Sequence, residues 1–249
     1  MIVKKKPGSL RVFLCLEFLL LFALGPLAIL EIRRPGILFL VLWVGGAITY
    51  QASRMAQAPA PPDWRQRLRA VSWFLPLKVQ IIVRLLLGVP SSAKQPTERR
   101  VTRVILRFAI FGPVLTLATW AIFPHLFLSL PREHPIFWLV IMVLYPVLSV
   151  WPQEVIYRRF LFHRYTRVFG ESGVVLASAL AFGFAHVIFL NPIAVMLTTA
   201  GGAMFAWNYA RERSLYLACM EHTLYGCLIF TIGLGQFFYT GAAWHHHIH

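Results

Sequence analysis

Apolar residues in this chain run in long, nearly unbroken stretches. They lack the strict alternation of a half-buried strand and the narrow stripe of a soluble helix. The stretches lie at roughly 10–30, 36–51, 103–124, 135–152 (running on as helix towards 168), 173–190, 193–210 and 214–237. About 20 mostly apolar residues in a helix span a hydrocarbon core. Backbone polar groups find no water there, so each segment must satisfy its own, which makes helix the expected form. The pattern predicts an all-α, polytopic integral membrane helix bundle of seven spans, or eight if one ambiguous segment also crosses.

That segment lies in the long connection 52–102, where Lys and Arg far outnumber Asp63 and Glu98. Within it, "WRQRLRAVSWFLPLKVQIIVRLLLGV" is apolar but interrupted by Arg65, Arg67, Arg69, Lys78 and Arg84. It reads as a basic amphipathic piece on the anionic headgroups of an inner leaflet, the alternative being a tilted span through 71–89. The expected organisation is a two-span N-terminal region with this cytoplasmic loop (1–102), a main helix bundle (103–240) and a His-rich tail (241–249). The tail "WHHHIH", native or an added tag, is set apart from the chemistry.

The composition agrees: 249 residues, 58% hydrophobic and only 13% charged, where a soluble domain would carry far more charge. The formal net charge of +15 does not point to nucleic acid, because the basic residues cluster at the ends of apolar segments. With seven spans, the N-terminus (Lys4, Lys5, Lys6, Arg11), the 52–102 loop and the turns carrying Arg164, Arg167, Arg211 and Arg213 all fall on one side. That side is the cytoplasm, and a bacterial inner membrane is the expected location. The first apolar run is too long for a signal-peptide core and is read as a retained span. Cys15, Cys219 and Cys227 lie in apolar segments and read as reduced core thiols.

A charged side chain within a membrane helix costs at least about 2.5 kcal/mol, so it usually faces the protein interior and has a use. Four such groups stand out in the C-terminal half: Glu154, Arg158, His186 and His222. The turn "FGESGVV" around Gly170 predicts an antiparallel hairpin, with Glu154 sixteen residues before it and His186 sixteen after. At about 1.5 Å per residue, both lie about 24 Å from the turn, at one depth. His222, on the last span, falls at a comparable level. Glu154 and Arg158 are i, i+4 and can pair. His222 and Gly226 are also i, i+4, and the glycine leaves room for a water, a substrate or a neighbouring helix.

A carboxylate and two imidazoles suit hydrolysis: the carboxylate takes a proton from water while the imidazoles hold the water, a metal ion or the developing oxyanion. Zinc would use His186 and His222 with Glu154 or Cys219 as the third protein ligand; activation of water without metal is also open. A Glu–Arg structural staple, satisfied core histidines and a proton-coupled transporter are the competing readings. No inverted repeat supports the transporter.

These residues form three short motifs in order: "QEVIYR" (Gln153–Arg158), "FGFAH" (Phe182–His186) and "HTLYG" (His222–Gly226). The chain resembles the CPBP family, the CAAX protease and bacteriocin-processing (Abi) intramembrane proteases, over roughly 135–237. The resemblance implies an endopeptidase acting on a membrane-associated peptide or protein, commonly described as a metalloprotease. It implies catalytic roles for Glu154, His186, His222, Arg158 and Gln153, with Tyr157, Phe182 and Gly226 lining the substrate cavity. Two positions depart from the family. The first motif glutamate is Gln153, so either Glu154 serves as base or catalysis is lost, leaving a scaffold or immunity protein. The third motif ends in Gly226 instead of Asn or Asp.

Overall fold

The computed structural model describes residues 7–32, 35–54 and 97–238. Among these there is no strand; the α-helices are α1 (Pro7–Leu19), α2 (Gly25–Ile32), α3 (Pro35–Arg54), α4 (Thr97–Ile122), α5 (Ser129–Glu133), α6 (Pro135–Tyr145), α7 (Trp151–Glu154), α8 (Leu161–Ala185), α9 (Pro192–Glu212) and α10 (Leu215–Ile232). The amphipathic piece and its alternative span at 71–89 lie outside the described residues, as does the tail 241–249.

Five described helical stretches are long and apolar enough to cross a membrane: Ser9–Ile32, Gly36–Ser53, Glu98–Ile122, Pro135–Phe189 and Leu215–Ile232. The fourth is 55 residues long but is broken at Gly170, whose φ of +71° and ψ of 177° are non-helical and essentially open to glycine alone. The five stretches thus account for six of the seven expected spans. The seventh, 193–210, does fold as α9 but is not among them. Thr198, Thr199, Gly201, Gly202 and Asn208 dilute its apolar character.

Large apolar side chains face outward, as with Ile136 (78% exposed) and Val143 (70%), while Glu154, Arg158 and Glu221 are wholly buried. Lipid surroundings favour this distribution. Two π-helical turns interrupt the fourth stretch, Pro146–Val150 and Val155–Phe160. Pro146 heads the first and Pro152 precedes the second. Proline has no N–H to donate and its ring crowds the carbonyl four residues back, so the helix widens locally. The second widening begins immediately after Glu154.

The chain packs as two compact units. The first contains α1–α3, α7, α8 and α9 as far as Trp207. Arg164 donates to both carboxylate oxygens of Glu17 (2.9 and 2.7 Å), and the Tyr165 hydroxyl donates to Glu17 Oε1 (2.9 Å), tying α1 to α8. Arg159 donates from Nε to Ser53 Oγ (2.8 Å) and stacks on Tyr50, tying α3 to the π turn. Close approach of α8 and α9 depends on small residues: a Cβ at Gly183 would collide with Thr199, and one at Gly202 would press on Phe182 at 3.0 Å.

The second unit contains α4–α6 and the chain from Asn208 through α10. Arg107 donates to Glu221 (2.7 Å), Phe108 meets Tyr225 edge to face, and Trp138 Nε1 donates to Thr231 Oγ1 (3.0 Å). α10 begins at Ser214, whose hydroxyl caps Leu217 N, and ends at Gly233, whose φ of +100° stops it short of the expected 237.

Candidate active site

In the first unit, the arms on either side of Gly170 fold back on each other. Tyr157, thirteen residues before the glycine, meets Phe182, twelve after it, with ring centroids 5.3 Å apart. Arg158 Nη1 donates to Ser178 Oγ (2.6 Å), and that hydroxyl donates to the Tyr157 carbonyl (2.7 Å). Glu154 and His186 each lie about one helical turn beyond this contact on their own arms.

Glu154, Arg158 and Phe182 are buried. Glu154 Oε2 lies 3.2 Å from Arg158 Nε, the i, i+4 pair expected from sequence. The Arg158 guanidinium sits 4.9 Å from the centre of the Phe182 ring and 5.9 Å from that of Phe205, so aromatic faces complete its surroundings. Gln153, Tyr157 and His186 are only partly covered.

His186 stands where α8 ends. A short 3₁₀ turn, His186–Phe189, follows; Leu190 turns at φ +51°, and Asn191 Oδ1 accepts from Ile193 N to start α9. The imidazole Nδ1 is 2.7 Å from the Phe182 carbonyl. A carbonyl can only accept, so Nδ1 carries the proton and Nε2 the basic lone pair of the neutral ring. The ring also packs edge-on to Phe182 at 4.8 Å. Phe182 is therefore less a cavity wall than a buried platform shared by Arg158 and His186.

In the second unit, His222 is buried and its Nε2 shares a 3.0 Å hydrogen bond with the Tyr145 hydroxyl. Gly226 is the reason this contact exists, because a Cβ there would run into the Tyr145 ring and hydroxyl. Of the three occupants the sequence left open beside Gly226, the one present is a neighbouring helix, α6. The sequence reading passed over Glu221 and Arg107, which are buried and paired beside His222 on α10 and α4. Both are charges inside apolar stretches, the same signal that marked Glu154. Tyr145 carried no such signal.

A catalytic zinc site takes three protein donors. Among the described residues, no group of three or more His, Cys, Asp or Glu side chains is gathered to hold a metal ion. In the first unit Glu154 and His186 are the available donors, and Glu154 is engaged with Arg158.

No curated protein and no solved structure matches the chain. A family model does: residues 135–228 match type II CAAX prenyl endopeptidase Rce1-like. The match takes in α6 through most of α10 and contains all three motifs. Over this segment the chain is similar to the CAAX protease family, the resemblance its three motifs carry.

Proposed function

We propose that the protein hydrolyses a peptide bond of a membrane-associated protein or peptide, from within a bacterial inner membrane and with its N-terminus in the cytoplasm. The observation that carries this reading is the His186 geometry: Nδ1 is anchored on the Phe182 carbonyl, so Nε2 is the nitrogen able to take a proton from water. His186 accepts that proton as the water oxygen attacks the scissile carbonyl carbon. The proton then passes to the departing amine nitrogen as the C–N bond breaks. Glu154, paired with Arg158, holds the guanidinium against Phe182 and so steadies the ring on which His186 packs. The Gln153 amide orients the water or donates to the oxyanion. His222 enters the reaction on the strength of the third motif alone. The basic loop 52–102 binds anionic headgroups and holds the substrate-bearing surface close.

One observation favours a second reading, a catalytically silent scaffold or immunity protein. The partly exposed position of the first motif is an amide, Gln153, and the adjacent carboxylate is wholly buried. The test is hydrolysis of an internally quenched farnesylated peptide ending in Cys-aliphatic-aliphatic-X by the purified protein in liposomes. Cleavage that disappears in H186A supports the protease. Cleavage absent in the wild type but present in Q153E supports the silent relative.

A further inference from the structure

His222 is a buried imidazole in an apolar helix, and a buried polar group needs a partner. Its own helix offers none at the i+4 position, because residue 226 is glycine. The space a side chain would take there is filled by Tyr145 from α6, whose hydroxyl reaches His222 Nε2 at 3.0 Å. The Tyr145 ring is itself set edge to face against His222 (6.0 Å) and Phe230 (5.3 Å), so its direction is fixed by packing on two sides. A phenol hydroxyl can donate to a neutral imidazole nitrogen and accept from a protonated one, so it serves the ring in either charge state.

We propose that Tyr145 is the positioning residue of His222, and that Gly226 exists to admit it. The hydroxyl holds the Nε2 edge of the ring and so fixes how the ring is turned. Glycine at 226 and tyrosine at 145 form one exchangeable unit. An amide at 226 lies four residues on from His222 and could take over its partner role, but only if Tyr145 were cut back. The inference rests on the protease reading only where activity is the readout.

The experiment uses the full chain labelled with ¹⁵N-histidine in detergent micelles, with the His222 resonances identified by their loss in H222Q. Y145F, which removes one oxygen and keeps the ring, should shift the His222 Nε2 resonance while leaving the other histidines in place. In the farnesylated-peptide assay, Y145F should lower kcat by about 10-fold or more with KM unchanged, the usual effect of losing a partner that orients a functional histidine. G226N alone should lose activity and thermal stability through collision with Tyr145. Y145A/G226N should recover most of both, whereas Y145A/G226L, which fills the space without a polar group, should recover stability only. An unmoved His222 resonance in Y145F overturns the proposal, whether or not the wild type cleaves the peptide. A shifted resonance with an unchanged rate in an active enzyme overturns the positioning role. If the peptide is not cleaved at all, the protease reading fails and the resonance alone decides whether Tyr145 holds His222.

Discussion

Tyr157 and Phe182 meet edge to face at 5.3 Å across a turn made at Gly170, and this contact fixes the register of the arms that carry Glu154 and His186. One residue inserted between Gly173 and Phe182 would rotate the second arm by about 100° relative to its partner. Such an insertion should abolish function and the Arg158–Ser178 hydrogen bond together. G170A is milder: nothing lies near its Cβ, so only backbone strain acts, about 1–3 kcal/mol. Thermal unfolding in detergent distinguishes the two; equal loss would mean that Gly170 is needed for more than its φ.

The Glu154–Arg158 pair is wholly buried, so removing one partner strands the other. R158M should destabilise the fold by about 3–5 kcal/mol. S178A, which removes one hydrogen bond to the same guanidinium, should cost about 1–3 kcal/mol. The more exposed Arg164–Glu17 pair is a control: R164M should cost no more than about 1 kcal/mol. Similar losses for R158M and R164M in a denaturant titration would contradict the burial argument.

Gly183 and Thr199 are in such close approach that neither can grow. G183A should separate α8 from α9, disturb Phe182 and so displace His186. T199G in the same chain should restore much of the loss. Measured as melting temperature and as peptide cleavage, both should fall and recover together. G183A with wild-type behaviour would refute the tight packing.

With no three-donor set among the described residues, hydrolysis should survive prolonged incubation with 1,10-phenanthroline. Loss of cleavage that added zinc restores would show that a metal does work this account gives to side chains.

Much of this arrangement was readable in advance, for physical reasons. Long apolar runs betray membrane helices, and the short Gly170–Gly173 stretch, with Glu171 and Ser172 inside it, betrays the turn at 170. A charge in an apolar stretch betrays Glu154 and Arg158, whose i, i+4 spacing already implied their pairing. What escaped depends on contacts between distant segments. Tyr145 lies 77 residues from His222, and no local pattern ties it to the gap at Gly226. Arg107 and Glu221, 114 residues apart, were overlooked although each carried the same signal as Glu154. The π turns follow from Pro146 and Pro152, but a proline also allows a simple kink, so the widening after Glu154 is visible only in the fold. For α9 the length was right, and its polar dilution became apparent only beside the stronger spans.

In the proposed reaction His186, anchored through Nδ1 on Phe182, takes the proton of the attacking water. The most direct measurement is the rate of cleavage of the quenched farnesylated peptide in liposomes by wild type, H186A and Q153E, each checked for a wild-type melting temperature. Slow cleavage is expected of the wild type, none of H186A, and faster cleavage of Q153E, which restores a carboxylate at the first position of the first motif. Equal cleavage by folded wild type and H186A would contradict the proposed reaction, as would no cleavage by the wild type.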